Sequence, residues 1–339
     1  MTRVLIILLL SLTHLSLLAW QQINGFVYHR FGDDRYSSTN IDIQRFEEQL
    51  QYLRDNGYRT LTLSEAINKV RKNGTQEDKM VVLTIDDAYK SFYQKALPLL
   101  KQYQIKATLF VNTETVGAGD FMSWDEIRET QTSGVEIGNH SHSHAYFLNA
   151  SAEDFRDDLA QSEALFKANL ARSPSVYAYP YGKWNVDMVS FLKQAGYAGA
   201  AAQHSGVMHP NSNRFALPRF PMSTAYAAIE QFIEKLQMKG FNEASSTFHS
   251  TALTNVDYPY LSLTLDHEHF DGADIQGFIS GKKAIMTHQE MGNDRLNVRL
   301  WTEEALTHRR TRFTVTAKDR QGKWHWMSYV FIQPEIRER

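Results

Sequence analysis

Two adjacent aspartates, Asp86 and Asp87, follow the β-favouring run VVLTI at positions 81–85. The pattern reads as a buried strand that carries a charged pair out at its C-terminal end. Neighbouring strand residues point to opposite sides, so the two carboxylates cannot do the same work. One could hold a metal ion while the other faces a reacting atom. Asp also caps helices, and a lone Asp-Asp pair is more often a turn or helix start than a site. A second group shifts that balance: His140, His142 and His144 come just after the strand-like run VEIG at 135–138. Imidazole with carboxylate is a common ligand set for a zinc-type ion. His140 and His144 can share one ion if the chain turns helically there. His142 competes, because residues two apart share a strand face, and solvated histidines in a polar loop are the plain alternative. His29 and Arg219 complete the polar groups at predicted strand ends.

Such groups act together only if the chain brings those strand ends to one face. Short strands are predicted at 23–28, 58–63, 81–84, 107–112, 135–138, 175–179 and 197–202, with an extended segment at 217–221. Helical spacing falls between them, at 43–54, from 64 toward Asn73-Gly74, at 91–103 with Pro98 inside, from Ser123 through Glu129, at 152–169, 186–196 and 225–239. Strand and helix alternating about seven times is the signature of a parallel sheet, and polar residues at successive strand ends fit a distorted (β/α) barrel with its site on that face. After Gly240 the pattern changes. Strands at 260–265, 283–287, 296–301, 312–317 and 324–332, with a hairpin link at 319–322, predict a small all-β, sandwich-like domain. The expected division is 1–19 leader, 20–240 α/β domain and 241–339 β-domain.

Charge and composition exclude several functions. The 339 residues carry 36 basic and 38 acidic side chains, so there is no electrostatic case for a nucleic-acid partner. No cysteine is present, which removes thiol catalysis, disulfides and cysteine-ligated zinc. Arg3 precedes an apolar run at 4–18 that ends in Ala19-Trp20, the form of a secretory signal cleaved near Ala19. At ~1.5 Å per residue the run is short for a hydrocarbon core of ~30 Å. The mature protein is therefore expected outside the cytoplasm, periplasmic or extracellular. An uncleaved leader would instead leave a membrane anchor and a peripheral envelope association.

Three motifs now carry a resemblance. Thr84-Ile85-Asp86-Asp87-Ala88 is similar to the TFDDG motif of the polysaccharide deacetylases of the NodB-like class, carbohydrate esterase family 4. His140-Ser141-His142-Ser143-His144 matches that family's H-(S/T)-x-x-H motif, and Pro180-Tyr181-Gly182 matches the end of its R-x-P-Y-G motif. The resemblance spans about residues 23 to 239, with each motif at a predicted strand end. It implies Asp86 as catalytic base, and Asp87, His140 and His144 as ligands of a divalent ion, zinc first, with cobalt or nickel as substitutes.

The chain departs from the family at three places. Ala88 replaces the motif glycine. Ala178 stands where the third motif has the arginine that steadies the base, and Arg219 in Leu217-Pro218-Arg219 is the candidate to replace it from another strand. The C-terminal motif bearing the acid histidine is missing after the last α/β helix; Thr287-His288 fits it only superficially, in the β-region. Instead, Phe26-Val27-Tyr28-His29-Arg30 resembles the start of the circularly permuted branch, which includes the biofilm poly-N-acetylglucosamine deacetylases, and this implies His29 as general acid. The resemblance further implies hydrolysis of N-acetyl groups on an N-acetylglucosamine-containing glycan, with the backbone N–H of Tyr181 at the oxyanion. Trp124, Tyr146, Tyr181 and Trp184 lie near the motifs, where they could stack on sugar rings or simply pack. Two other functions remain open at this point: a carbohydrate-binding or assembly protein that has lost catalysis, and a deacetylase of another glycan such as peptidoglycan or acetylxylan.

Overall fold

The computed structural model describes residues 22–70, 79–241, 243–246, 259–266, 270, 274–292 and 295–336. The proposed leader, and the end of the helix expected near Asn73-Gly74, lie outside these residues. Among the described residues no helix is long and apolar enough to cross a membrane.

A curled sheet organises the first part. Its main path runs Val207–Met208, Ile23–Tyr28, Met80–Ile85, Ala107–Val111, Val135–Asn139, Val176–Ala178, Gly199–Ala201. Neighbours from Ile23–Tyr28 onward are parallel, and Arg59–Leu61 adds beside Met80–Ile85. The strand Met80–Ile85 is buried along its whole length, because one face meets helices and the other fills the curl. The two ends of the curl are joined by the segment 214–222. Leu217 exchanges backbone hydrogen bonds with Ala200 and Ala202, and Phe220–Pro221 pairs in parallel with Phe26 and Val27. This bridging segment carries Arg219.

Local sequence explains most helix limits. Thr62, Ser123 and Ser151 each open a helix with a reciprocal capping box to Glu65, Glu126 and Asp154. Several elements differ from expectation. Thr62 as cap shortens the strand predicted at 58–63 to Arg59–Leu61. The single helix expected over 91–103 starts with a wide turn, Phe92–Ala96, before Leu97–Tyr103. Pro98 has no N–H to donate back into the preceding turn, so the chain widens there. The last α/β helix is shorter than expected, Ile229–Gln237.

From Glu243 on, two antiparallel sheets form: Glu243–Ser246, Leu261–Asp266, Arg295–Trp301 and Ile285–Met291 in one, and Gln276–Ile279, Arg310–Lys318 and Trp324–Ile332 in the other. The predicted link at 319–322 is a tight hairpin in which Asp319 and Lys323 pair through their backbones. Leu263, Val298 and Leu300 of the first sheet meet Phe313, Val315 and Tyr329 of the second in one buried cluster. That cluster also holds Tyr179, Trp184 and Phe215 of the α/β part, so the two parts share an apolar core. Ser205 and Ser328 fasten the contact by exchanging hydrogen bonds.

Candidate active site

Asp86 emerges from the end of its strand completely buried. Its backbone N–H donates to Tyr28 O at 2.9 Å, which locks the carboxylate beside the strand that leads to His29. Arg219, also fully buried, donates from Nη1 to Asp86 Oδ1 at 2.7 Å and from Nη2 to Oδ2 at 2.9 Å. Arg219 Nε donates to Ala202 O and Nη1 also to Thr84 Oγ1, each at 2.9 Å, so the guanidinium is oriented from both sides. Burial works to raise the Asp86 pKa, but the charges of Arg219 and His140 and the Arg219 bonds outweigh it. The carboxyl is held below its ordinary range. Gln203 Nε2 reaches Asp86 Oδ2 at 3.4 Å.

Asp87 turns away from Asp86 because the backbone leaves the strand at this residue. Both Asp87 and Ala88 have positive φ, 75° and 53°. Ala88 therefore takes the left-handed conformation that glycine adopts without strain, which is why a small residue stands there. The turn carries Asp87 to the histidine loop: His140 Nε2 and His144 Nε2 each lie 3.4 Å from Asp87 Oδ1. One ligand atom from each of the three residues falls within 4.8 Å of the others.

The histidine loop is built to present these two rings. Ser141 and His144 have positive φ, 70° and 54°, which brings i and i+4 to one side without a helix. Asn139 fixes the start, accepting from Ser141 N and donating to Ser162 Oγ and Tyr197 Oη. Asp158, from the helix Ala152–Leu170, accepts from His142 N, Ser143 N and Ser143 Oγ. His142, the competing ligand, pairs instead through Nδ1 with Thr113 Oγ1 at 2.9 Å and falls outside the cluster.

The donor set fits a divalent ion. His140 Nδ1 lies 2.8 Å from Ala178 O. A carbonyl only accepts, so Nδ1 carries a proton and Nε2 is the ring atom turned to Asp87, where the carboxylates favour its protonated form until an ion displaces that proton. Burial and then the His140 charge push the His144 pKa down to about 4, so its imidazole is neutral at pH 7 as a ligand must be. For Asp87 burial acts upward, but the His140 bond and the neighbouring imidazoles hold the carboxyl well below its usual range.

His29, at the end of Ile23–Tyr28, is half-buried and lies within electrostatic reach of Asp86, Asp87 and His144. Next to it, Arg30 stacks 3.5 Å from the Tyr89 ring centroid and pairs with Asp33 at 3.1 Å. Tyr181 lies across His144, ring centroids 4.6 Å apart, and stacks on Tyr146 at 3.8 Å. Its φ of 58° turns the PYG segment, and Gly182 must be glycine, since a Cβ there would collide with the backbone nitrogen of Gln203. Trp184 is buried and Trp124 packs on Phe166, so both serve packing. His288 is exposed on the strand Ile285–Met291 of the β-region, as its sequence position implied.

Sequence reasoning missed Gln203 and Asp158. Gln203 follows a small-residue strand with no motif around it. Asp158 reads as an ordinary acidic residue of an amphipathic helix; only the loop folded against it gives it work.

Comparison with known proteins points the same way. Residues 73–200 match the family model described as polysaccharide deacetylase. That stretch contains Asp86, Asp87, His140 and His144 but neither His29 nor Arg219. A putative polysaccharide deacetylase, YxkH, of Bacillus subtilis is 26% identical over 213 residues, 62% of this chain and 76% of the relative. The poly-beta-1,6-N-acetyl-D-glucosamine N-deacetylase of Staphylococcus aureus is 29% identical over 239 residues, 66% of this chain and 80% of the relative. Among solved structures, IcaB from Ammonifex degensii superposes with a TM-score of 0.57 at 26% identity, covering 64% of this chain and 97% of that one. The Streptococcus pyogenes deacetylase PplD, at 22% identity and a TM-score of 0.60, shares the fold over 64% of this chain and 99% of its own. The curled parallel sheet, the aspartates at the end of its Met80–Ile85 strand and these relatives agree: the chain is similar to the polysaccharide deacetylases, by the family model over residues 73–200 and by the fold over 64% of its length.

Proposed function

We propose that the protein is a metal-dependent N-deacetylase of an exported N-acetylglucosamine polysaccharide. The observation that carries this reading is the buried Asp86–Arg219 pair set directly beside an Asp87–His140–His144 cluster. A protein that only bound glycan would need no buried, cation-locked carboxylate next to a metal-type ligand set. The naming of the Staphylococcus aureus relative favours poly-β-1,6-N-acetylglucosamine as substrate.

Asp87, His140 and His144 would hold the ion, zinc before cobalt or nickel given two imidazoles and a carboxylate. When bound, such an ion polarises the acetyl carbonyl and brings the pKa of water toward neutrality. The protein's own groups do the rest. Asp86 takes the proton of the attacking water; its Oδ1 keeps a lone pair beyond the one Arg219 occupies, while Oδ2 also meets Gln203 Nε2. Arg219 keeps that carboxylate charged and fixed, the task the family assigns to the arginine that Ala178 replaces. The backbone N–H of Tyr181 donates to the oxyanion that forms when the acetyl carbon is attacked. His29 delivers a proton to the leaving amine, and the C–N bond breaks to give free amine and acetate. The first strand lies inside the sheet beside Met80–Ile85 and also pairs with the late segment Phe220–Pro221. That placement supports a permuted chain order, in which the acid histidine precedes the aspartates. The apolar run at 4–18 after Arg3 supports a site of action outside the cytoplasm.

The test is acetate release from N-acetylglucosamine oligomers by zinc-loaded protein. Asp86→Asn should keep its metal, lose ~10²–10⁴-fold in turnover and leave binding intact. Substantial turnover by that variant would sink the assignment of the base.

A further inference from the structure

A cavity of ≈ 300 Å³ lies between the PYG turn and the three-stranded C-terminal sheet. On the α/β side it is lined by Tyr181, Lys183, Gln203 and His204, and on the other by Arg310 and Arg312 of the strand Arg310–Lys318. It adjoins the site directly, since Gln203 reaches Asp86 and Tyr181 lies across His144.

Two features mark it as built. The β-sheet is docked on both flanks: Ser205 pairs with Ser328, and Arg309 Nη2 donates to Asn149 Oδ1 at 3.0 Å, close after the histidine loop. The strand alternation then decides what faces the cavity. Phe313, Val315 and Ala317 point into the core, while Arg310 and Arg312 fall on the opposite face, across from Ile332 and Val330. Among the described residues, every charged side chain lining the cavity is basic. Lys183 is only 4% exposed, with Nζ 3.8 Å from the Tyr146 ring centroid. His204 is held neutral, its pKa pushed down to about 4 by burial and by Arg219, so the charge of the lining comes from Lys183, Arg310 and Arg312.

We propose that this cavity is a subsite for an anionic group, carboxylate or phosphate, carried by the glycan next to the sugar that loses its acetyl. The inference rests on the deacetylase reading above and departs from a neutral homopolymer as substrate: the glycan would be N-acetylated and carry acidic substituents or acidic neighbouring sugars. Guanidinium groups suit such a role because two N–H donors match two carboxylate or phosphate oxygens. Two arginines and a lysine around one cavity also draw an anion toward the reacting centre, an effect that salt weakens.

The test compares three oligomers of equal length with the zinc-loaded protein: neutral N-acetylglucosamine, N-acetylglucosamine alternating with glucuronic acid, and a phosphodiester-bearing chain. Both acetate release and calorimetric binding are read. An acidic oligomer should be preferred about tenfold at low ionic strength, and the better of the two acidic arms identifies carboxylate or phosphate. Arg310→Gln with Arg312→Gln should bring the ratio of acidic to neutral close to one, while Arg310→Lys with Arg312→Lys retains most of it. If the double glutamine variant does not fold, Arg312→Gln alone is read by the same ratio. Equal binding of neutral and acidic oligomers, or a preference that survives loss of both arginines, overturns the subsite. Arginine-dependent binding of acidic oligomers with no acetate released from any substrate would uphold the subsite and overturn the deacetylase reading.

Discussion

Arg219 holds both oxygens of Asp86, at 2.7 and 2.9 Å, although 133 residues separate them in the chain and neither is exposed to solvent. The pair exists because the segment that bridges the two ends of the curled sheet passes over the end of the Met80–Ile85 strand. A buried ion pair is sustained only when its remaining hydrogen bonds are satisfied, and Ala202 O and Thr84 Oγ1 meet that condition.

Arg219→Ala should therefore cost about 3–5 kcal/mol of stability, since it leaves a buried carboxylate without its cation. Denaturant unfolding measures this directly. Arg219→Lys keeps a charge but cannot span both oxygens, so it should unfold closer to wild type and lose kcat with little change in KM. A wild-type unfolding midpoint for Arg219→Ala would contradict the structural role assigned to the pair.

Asp158 clamps the histidine loop from outside the cluster by accepting three hydrogen bonds. Removing it frees two backbone N–H groups of residues 142 and 143 and loosens the turn that presents His144. Asp158→Ala should weaken metal binding by ~10–100-fold, read by competition against a chelator, with Asp158→Asn intermediate because one acceptor oxygen survives.

The three histidines should separate cleanly by metal content. His140→Ala and His144→Ala should each lose most of the bound ion under dialysis, whereas His142→Ala should retain it. His142 is engaged with Thr113 and lies outside the ligand cluster. Loss of metal from the His142 variant equal to that from the other two would reassign the ligand set.

His209 supplies a pH signature away from the metal. It is 6% exposed, and burial pushes its pKa from 6.5 down to about 4. The unfolded chain therefore takes up a proton that the folded chain refuses. The contribution to stability is fully present above pH ~6.5 and is lost as pH falls toward the folded value of about 4. The loss is at most roughly 3 kcal/mol. His209→Gln should flatten unfolding stability across that window; an unchanged slope would show that other groups control it.

The chain's own order of residues determined much of this. The alternation of strand and helix, the change to antiparallel strands after Gly240 and the placement of Asp86, Asp87, His140 and His144 at strand ends are local properties, fixed by hydrophobic period and turn chemistry. They were legible for that reason, as were Pro180-Tyr181-Gly182 and the hairpin at 319–322. Helix and strand ends were less so, because a cap such as Thr62 or a missing donor such as Pro98 shifts a boundary by a turn.

What only the tertiary structure decided are the pairings across the curl. Sequence offered Arg219 as a candidate partner for Asp86, but a bidentate contact depends on where a bridging segment lands, and no local pattern encodes that. The choice of His144 over His142 turned on two left-handed residues, Ser141 and His144, held by Asn139 and Asp158. The approach of His29 to the aspartates follows from its strand lying beside Met80–Ile85. The basic cavity beside Tyr181 needed two separately folded sheets to meet. Residue types set which chemistry was available; the closing of the sheet set which residues could share it.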